Sequence, residues 1–406
     1  MNLTLRPGPA LSGEAWHKVR TRTIFDCCKW DVQCEDHSVL APFPLLIGEA
    51  EWAALGALAE SLAAEALVAE RELLSRRDLH RRLGLPRAIR RVLRRSQPPA
   101  NGVRVMRFDF HPTGDGWRLS EVNADVPGGF IEAGGFASLM AEHYEGAKAL
   151  PNPAEAYVRE TLGHAGPGAL VALVHATAYV DDREVMEYLC RCFRSRGARA
   201  VAVSPVHLAW RHQRAELSVG FAGQVPDAVV RFFPAEWMPQ LASESWEPYF
   251  NGSRTPLSNP ATALVLQSKR FPLIWDDLRT PLPTWRKVMP PSELPERITA
   301  LPDDEWVIKP ALGRMGEDIG MRGVTPCRQM EQIVRQATRK PEEWVLQRRF
   351  AVTPMVAEDG PLFPCLGVFT VDGKRAGVYG RVARKPLVDH EAQDAAVLIH
   401  PNGGRS

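Results

Sequence analysis

Two β-rich segments flank a short turn near residue 110, and this arrangement constrains the fold more than any other stretch of the chain. Residues 103–110 (VRVMRFDF) and 117–122 (WRLSEV) are rich in β-branched and aromatic side chains. Between them, residues 111–116 (HPTGDG) combine the proline, glycine and aspartate that are typical of tight turns. The pattern therefore predicts a β-hairpin.

Polar side chains recur at every second position of this hairpin. Arg107 and Asp109 share one face of the first strand, and Glu121 and Asn123 share one face of the second, because side chains alternate along a strand. The two pairs lie on the same side of the sheet only if the paired residue numbers have an even sum, as with 107 opposite 121. A slip of one residue would place them on opposite sides.

An even register would bring two carboxylates and an amide oxygen beside a guanidinium group. Hard oxygen ligands of this kind suit Mg²⁺, which proteins often hold with one or two carboxylates plus substrate phosphates. The arginine would bind a carboxylate or phosphate in bidentate geometry. A surface hairpin with alternating polar residues and cross-strand ion pairs explains the same pattern, and the hairpin alone does not decide between the two.

A parallel sheet is predicted further along the chain. Residues 168–175 contain the apolar run ALVALV, residues 182–196 have helical character, and residues 200–203 form another apolar run. Together they predict a βαβ unit with a right-handed crossover. Residues 228–233 predict another strand of the same sheet, and the prolines between positions 281 and 302 indicate a long non-helical connection.

The first hundred residues predict mainly helices, since residues 49–80 are dominated by Ala, Leu and Glu and a second helix is expected after Pro86. Ten arginines fall at positions 71, 76, 77, 81, 82, 87, 90, 91, 94 and 95. Such a charge run usually covers a solvated helix face. The alternative is a nucleic-acid or acidic-protein binding module, whose association would weaken steeply with salt and be lost when Arg90, Arg91 and Arg94 are neutralised.

A second candidate cluster surrounds Lys309. Residues 306–316 (WVIKPALGRMG) predict a strand that ends in this lysine and enters a loop containing Gly313 and Gly316. Glycines let backbone N–H groups approach phosphate oxygens, and lysine supplies the matching charge. The loop lacks the Gly-Lys-Ser/Thr order of a Walker A motif, so a plain β-turn explains it equally well.

Three more polar residues extend the candidate set. Lys269 follows an apolar stretch, Gln347 lies in a predicted strand at residues 344–347, and Arg381 lies at the end of a predicted hairpin at residues 368–381. Each has an ordinary structural explanation. The combination of two lysines, a glycine loop, a carboxylate pair and two arginines is more informative than any single element.

Composition excludes several classes of protein. The chain has 406 residues, 45% hydrophobic and 24% charged, which is typical of a soluble protein with two or three domains. Its formal net charge of +2 provides no global field toward nucleic acid or a membrane. The N-terminus lacks the apolar core of a signal peptide, and no uninterrupted apolar run approaches the roughly 18 residues of a membrane span, so no membrane partner is expected.

Cysteine usage indicates a reducing compartment, and a cytoplasmic location is expected. The count of seven is odd, and no Cys-x-x-Cys pair occurs. Cys27, Cys28, Cys34 and His37 are close in sequence, but their irregular spacing fits a zinc site poorly.

Several of these segments resemble the synthetase module of glutathionylspermidine synthetase and its bacterial relatives that lack the amidase. They occur in the family's order over about residues 100–400. The matching strings are RFD at 107–109, EVNADVP at 121–127, EA at 132–133, Asn259-Pro260 to Lys269, WVIKP at 306–310, GRMG at 313–316, Gln347 and GVYGR at 377–381.

The resemblance implies a permuted ATP-grasp fold of the α+β and α/β classes, with a Rossmann-like pre-ATP-grasp portion and a helical N-terminal region. In this fold ATP lies between two α+β subdomains, and the metal hairpin precedes the nucleotide lysines. The implied activity is ATP-dependent ligation, in which a carboxylate is activated as an acyl phosphate and an amine then forms an amide bond. ATP and Mg²⁺, as two ions, are the implied cofactors.

By the same resemblance, individual residues acquire expected roles. Arg107 would hold the acyl phosphate or the substrate carboxylate, and Arg381 would stabilise the transferred phosphoryl group. The metal ligands would be Asp109, Glu121 and Asn123. The ATP-binding residues would be Lys269 and Lys309 at the phosphates, Gly313 and Gly316 in a closing flap, and Gln347 near the adenine.

The expected division of the chain is a helical region at 1–100, the metal hairpin part of the core at 101–165, a Rossmann-like portion at 166–260 and a nucleotide-clamping subdomain at 261–406. The partners would be a small-molecule or peptide carboxylate and an amine. Their identity stays open, because Gly128-Gly129 occupies positions where relatives carry small hydroxyl residues. A catalytically inactive ATP-grasp scaffold that binds nucleotide or a partner is the remaining alternative.

Overall fold

The computed structural model describes residues 4–34, 37–96, 101–218, 223–297, 304–313 and 318–400. The α-helices are α1 (Gly13–Asp26), α2 (Glu49–Ser75), α3 (Arg87–Leu93), α4 (Ala137–Ala141), α5 (Pro153–Ala165), α6 (Val180–Ser195), α7 (Ser243–Trp246), α8 (Pro248–Asn251), α9 (Leu264–Gln267), α10 (Pro283–Val288) and α11 (Cys327–Arg339). A π-helical turn covers Glu132–Phe136.

The strands are β1 (Arg6–Pro7), β2 (Gln33–Cys34), β3 (His37–Ser38), β4 (Leu45–Ile47), β5 (Val105–Thr113), β6 (Gly116–Asn123), β7 (Lys148–Ala149), β8 (Leu170–His175), β9 (Arg199–Val203), β10 (Leu208–Arg211), β11 (Arg214–Leu217), β12 (Ala228–Phe232), β13 (Leu257–Ser258), β14 (Ser292–Glu293), β15 (Trp306–Pro310), β16 (Gly320–Met321), β17 (Trp344–Arg348), β18 (Met355–Ala357), β19 (Gly360–Val371), β20 (Lys374–Ala383), β21 (Gln393–Ala395) and β22 (Val397–Ile399).

An antiparallel sheet forms the centre of the structure, with strand order β21-β20-β19-β5-β6 and β18 paired to β19. The predicted hairpin at residues 103–122 is confirmed as β5–β6, and the predicted hairpin at residues 368–381 is confirmed as part of β19–β20. Asp372 and Gly373 turn the second hairpin with φ of 47° and 77°, as a two-residue hairpin turn requires. Strand β19 of the second hairpin also pairs with β5 of the first, so distant parts of the chain share one sheet.

The register of β5 against β6 is even where it matters. Arg107 pairs with Asn123 and Asp109 pairs with Glu121, so all four side chains lie on one face of the sheet. The register then shifts between Asp109 and Phe110, where a bulge follows directly after the polar positions. Bulges of this kind re-aim side chains next to functional sites.

The two faces of the central sheet have opposite character. Phe108, Phe110 and Val122 alternate with the polar residues, are buried, and belong to the core that includes α2 and α10. The ring of Phe108 meets Trp285 of α10 edge-on at 6.0 Å between centroids. Because this face is buried in the core, the opposite face, which carries the polar side chains, must point toward the cleft described below.

A parallel sheet lies beside the central one, with order β13-β12-β8-β9. Strands β8 and β9 are parallel and are connected by α6, so the predicted βαβ unit is confirmed. Strand β12 pairs with β8, which confirms the predicted strand at residues 228–233. All residues of β8 are buried, which explains its continuous apolar sequence.

Two further four-stranded sheets and two pairs of strands, β10–β11 and β2–β3, complete the described architecture. The order β14-β17-β15-β16 brings Gln347 of β17 next to the strand of Lys309, and the order β1-β4-β22-β7 joins the beginning and the end of the described chain. The expected non-helical connection at residues 281–302 was wrong in part, because α10 lies within it. Pro283 starts this helix, where its missing N–H and fixed φ are tolerated.

Helix α2 is long and apolar enough to cross a membrane by length and composition alone. In the fold, its buried apolar residues belong to the main core. Its glutamates bind neighbouring segments: Glu65 accepts hydrogen bonds from the backbone N–H groups of Thr284 and Trp285, and Glu70 pairs with Arg104 at 2.7 Å. These contacts are those of a core helix.

Candidate active site

Arg107 and Asp109 form the centre of the polar face. Nε of Arg107 donates to Oδ1 of Asp109 at 2.8 Å and Nη2 donates to Oδ2 at 2.9 Å, while Nη1 donates to the carbonyl of Gly128 at 2.7 Å. Both side chains are buried. Burial disfavours the charged guanidinium, but the Asp109 carboxylate overcomes this and raises the pKa of Arg107. The arginine is therefore a rigid, permanently charged group.

Gly367 provides the space in which this arginine lies. It pairs with Asp109 on one side and with Tyr379 on the other, in the middle of the sheet. A Cβ atom at this position would lie 2.7 Å from Cδ of Arg107 and 2.9 Å from Oδ1 of Asp109. The sequence analysis missed this residue, although a glycine inside an apolar strand is a recognised sign of close approach.

Arg381 approaches the same carboxylate from β20. Its Nη2 donates to Oδ2 of Asp109 at 3.1 Å, so one carboxylate receives two guanidinium groups. The two guanidinium carbons lie 5.0 Å (Arg107) and 5.3 Å (Arg381) from the ring centroid of Tyr379, within the range of cation–π attraction. Burial opposes the charge of Arg381, but Tyr379, Cys365 and Asp109 together raise its pKa.

Lys269 reaches the hairpin from the segment after α9. Its Nζ lies 3.2 Å from Oε2 of Glu121 and donates to the carbonyl of Gly313 at 2.9 Å. The backbone N–H of Lys269 also donates to the carbonyl of Ala311 at 2.9 Å. Gly313 and the lysine are thus held together beside Glu121.

Lys309 approaches from β15 and is almost fully buried. Its Nζ donates to Oε1 of Gln347 at 2.6 Å and to the carbonyl of Ser120 at 3.3 Å. Burial lowers the pKa of Lys309 to about 8, although the Glu121 carboxylate opposes the shift. For Glu121 burial acts in the opposite direction, but Lys269 and Lys309 outweigh it and lower its pKa to about 2.

Glu121, Lys309, Gln347 and Arg381 line one cleft. Glu121, Lys309 and Arg381 contribute charged groups, whereas Val307, Ile319, Met321, Phe350, Val352, Leu387 and Val388 contribute apolar surface. His111 lines the cleft as well, and burial lowers its pKa to about 4, so its imidazole is neutral at physiological pH. The cleft therefore combines a cationic region with an apolar wall.

The structure brings most of the predicted site residues together. A continuous set of contacts joins Arg107, Asp109, Asn123, Arg381, Glu121, Lys269, Gly313, Lys309 and Gln347. Gly316 lies outside the described residues. Their individual roles in binding and catalysis stay predictions.

The predicted Mg²⁺ site at Asp109, Glu121 and Asn123 stays a prediction, and the contacts of these residues describe what an ion would meet there. Among the residues that the structure describes, no group of three His, Cys, Asp or Glu side chains could hold a metal alone. Asp109 accepts from two arginines and from Nδ2 of Asn123 at 3.2 Å, and Glu121, paired with Lys269, is 26% exposed. Two carboxylates and an amide oxygen fit an ion that takes its remaining ligands from phosphates and water.

Residues behind the hairpin fix the loop that follows Asn123, and the sequence analysis did not assign them this role. Oε1 of Gln267 accepts from the backbone N–H groups of Ala124 and Asp125 at 2.8 and 3.1 Å. The Asp125 carboxylate pairs with the fully buried guanidinium of Arg231 on β12 at 2.5 Å. The parallel sheet thereby positions the end of the hairpin.

The arginine-rich segment lies apart from these contacts. Arg76 pairs with Asp78 and Arg82 pairs with Asp277, whereas the other eight arginines form no ion pair with a described residue. The segment contacts the residue that follows Lys269, because the carbonyl of Arg82 accepts a hydrogen bond from Nε of Arg270 at 2.6 Å. Both interpretations of this segment, a solvated helix face and a nucleic-acid or acidic-protein binding module, stay predictions.

An antiparallel sheet that presents arginines and carboxylates to a cleft, a second sheet that adds a buried lysine and a parallel βαβ sheet define an ATP-grasp-related fold of mixed α/β structure. The chain belongs to the glutathionylspermidine synthase preATP-grasp family, whose family model matches residues 43–400. The resemblance and the fold class drawn from the sequence are therefore confirmed.

A solved structure shares this fold. A glutathione synthetase-like effector from Globodera pallida in its apo form superposes with a TM-score of 0.64 at 11% identity, covering 95% of this chain and 96% of that chain. A putative gamma-glutamylcysteine synthetase from Methylobacillus flagellatus KT has a TM-score of 0.46 at 12% identity, with coverages of 81% and 86%. Comparison with curated proteins finds no match. At 11% identity, the first similarity shows the fold alone.

Proposed function

We propose that this protein is an ATP-dependent carboxylate–amine ligase. The carboxylate oxygen of one substrate would attack the γ-phosphorus of ATP, which gives an acyl phosphate and ADP. An amine would then attack the acyl carbon, phosphate would leave with the bonding electrons, and the nitrogen would lose a proton as the amide forms. Membership of the glutathionylspermidine synthase preATP-grasp family supports this chemistry.

The charge at the cleft is the single observation that carries the proposal. In the described part of the chain, this contact network contains four cationic side chains, Arg107, Arg381, Lys269 and Lys309, and two carboxylates, Asp109 and Glu121, so two positive charges are in excess. These groups are largely buried, where their field is weakly screened. A polyphosphate is the kind of ligand that such an excess favours, and the apolar wall supplies a surface for a nucleobase.

The arginines would act on the transferred phosphoryl group. Phosphoryl transfer depends on positioning and on stabilising negative charge in the transition state. Arg107 is held by three hydrogen bonds before any ligand arrives, so little reorganisation is needed during the reaction. Lys269 and Lys309 would bind the nucleotide phosphates, and Gln347, which accepts a hydrogen bond from Lys309, would face the base.

Glu121, Asn123 and Asp109 would hold Mg²⁺ together with the phosphates. When bound, the ion would neutralise charge on the phosphate oxygens and orient them for in-line transfer. The Glu121 carboxylate stays ionised throughout the physiological range, because the lysines lower its pKa to about 2 even though burial opposes this.

The acid substrate would lie near Arg107 and Gly128. A Cβ atom on Gly128 would meet only the ring of Phe232, at 3.8 Å, so this wall of the site is open and carries no hydroxyl group. A small-molecule or peptide carboxylate fits this description. A cytoplasmic location is part of the proposal, and the free thiols of Cys27, Cys28 and Cys190 are compatible with it.

The test is release of ADP and phosphate across a panel of carboxylate and amine pairs with Mg²⁺, followed by mass spectrometry of the products. The Glu121→Gln variant should lose Mg²⁺-dependent turnover, whereas Glu343→Gln, which alters an exposed ion pair with Lys340, should not. Nucleotide binding without ADP release for any pair would instead identify an inactive scaffold. Unchanged turnover in Glu121→Gln would remove this residue from the metal site.

A further inference from the structure

A buried cluster of charged residues lies behind the two arginines of the cleft. The ammonium group of Lys29 lies 2.9 Å from Oε1 of Glu132, 3.5 Å from Oε2 of Glu184 and 3.9 Å from Oδ2 of Asp394. The Tyr379 hydroxyl donates a hydrogen bond to Asp394. All five side chains are buried or nearly so, and they come from five different parts of the chain.

Tyr379 connects this cluster to the active-site arginines. Its ring contacts the Arg107 and Arg381 guanidinium groups. Gly129 packs against the ring, because a Cβ atom there would lie 2.7 Å from Cδ1 of Tyr379. With the ring held between these groups, its hydroxyl end is oriented by Asp394.

We propose that Tyr379 is a positioning residue for Arg107 and Arg381, and that the buried cluster of Lys29, Asp394, Glu132 and Glu184 holds Tyr379 in place. This inference rests on the proposed function for its catalytic consequence. Its structural content, that the cluster sets the environment of the two guanidinium groups, is independent of the reaction.

The N-terminal region contributes to the site through Lys29. This residue follows α1, and Cys27 of the same segment packs closely on Gly135. A Cβ atom on Gly135 would lie 2.5 Å from Sγ of Cys27. The backbone N–H of Asp31 donates to Oε1 of Glu184 at 2.5 Å, which secures the other side of the loop. Two close contacts therefore place the ammonium group among the carboxylates.

The charge state of the cluster changes near neutral pH. Burial raises the pKa of Asp394 to about 7, with Glu132 adding to the shift and Lys29, Tyr379 and Arg381 opposing it. Burial also raises the pKa of Glu184. Lys29 stays charged, because the three carboxylates outweigh the effect of burial and raise its pKa. As the pH falls below 7, Asp394 becomes neutral and Tyr379 loses an anionic hydrogen-bond acceptor.

The first test follows the guanidinium groups directly by the ¹⁵N–¹H NMR signals of the arginine Nε–H groups, assigned with Arg107→Lys and Arg381→Lys. In the unliganded wild type, both signals should titrate with a midpoint near pH 7, because Tyr379 transmits the ionisation of Asp394. In Asp394→Asn the titration should disappear. Signals that do not move in the wild type, or that titrate equally in Asp394→Asn, would overturn the inference.

The second test uses ligase turnover. Tyr379→Phe keeps the ring but removes the hydroxyl, and it should lower kcat by about tenfold while leaving KM for ATP nearly unchanged, the split expected for loss of transition-state positioning. Lys29→Met should move the acidic limb of the kcat profile to higher pH, and Lys29→Arg should restore it. A Tyr379→Phe profile identical to the wild type would refute the positioning role. Absence of turnover with an intact NMR titration would refute the proposed function alone.

Discussion

Nucleotide affinity should fall as the pH rises from 7 to 9, because Lys309 loses its proton in this interval. Burial lowers the pKa of this lysine to about 8 against the opposing charge of Glu121, so the free protein holds it partly neutral. A phosphate ligand requires the ammonium form. Binding above pH 8 must therefore be accompanied by uptake of a proton from solvent.

The size of the effect follows from the fraction of Lys309 that is protonated. With a midpoint near pH 8, this fraction is about 0.9 at pH 7 and about 0.1 at pH 9. The apparent Kd for ATP should rise about tenfold across the two pH units, which corresponds to about 1.4 kcal/mol. The terminal phosphate of the nucleotide contributes little, since the second ionisation of a phosphate monoester has its midpoint near pH 6 and is about 90% complete at pH 7.

Isothermal titration calorimetry in buffers of different ionisation enthalpy measures both the affinity and the proton uptake. Lys309→Arg is the matched control, because a guanidinium stays protonated at every pH used, so its affinity should not follow the profile. Lys309→Met should bind weakly at all pH values. A constant wild-type Kd between pH 7 and 9, or an unchanged slope in Lys309→Arg, would refute the assignment of Lys309 to the phosphates.

Other perturbations test the surrounding framework. Gly367→Ala would bring a new Cβ to 2.7 Å from Cδ of Arg107, so it should displace the arginine side chain and lower kcat by at least about tenfold. Gly114→Ala, with open space around it, should leave kcat unchanged in the same ADP-release assay. Asp125→Asn should weaken the pair with its buried arginine and cost up to about 3–5 kcal/mol in urea unfolding; a loss within error would show that the pair contributes little. Glu121→Gln should move the midpoint of the Lys309 profile below pH 8, because the carboxylate holds that pKa up, and a midpoint that rises would contradict this.

Local patterns were sufficient to predict the strands and helices that carry the site. Alternation placed Arg107 with Asp109 and Glu121 with Asn123, and the apolar run at residues 168–175 identified a buried parallel strand. These features depend on the period of side chains along one element, which a sequence displays directly.

Contacts between distant segments could not be predicted in the same way. The even register depends on a bulge beside Asp109 and on packing against β19, and neither is visible in the hairpin sequence. Lys29 acts only through residues far away in the chain, so its surroundings give no local signal. Gly367 is a recognisable glycine in an apolar strand, but the sequence does not reveal that Arg107 and Asp109 are the groups that approach it. The glutamates of α2 resemble ordinary surface charges in sequence, yet Glu65 binds backbone N–H groups of α10.

The pairing of β19 with β5 has a consequence for biosynthesis. As the nascent chain emerges, β5 can pair with β6 at once, but its other side stays open until residues 360–371 have been translated. During that interval Arg107 and Asp109 lie on an exposed edge strand, the type of surface that invites intermolecular pairing. Truncation ahead of Gly360 should therefore yield an aggregating product.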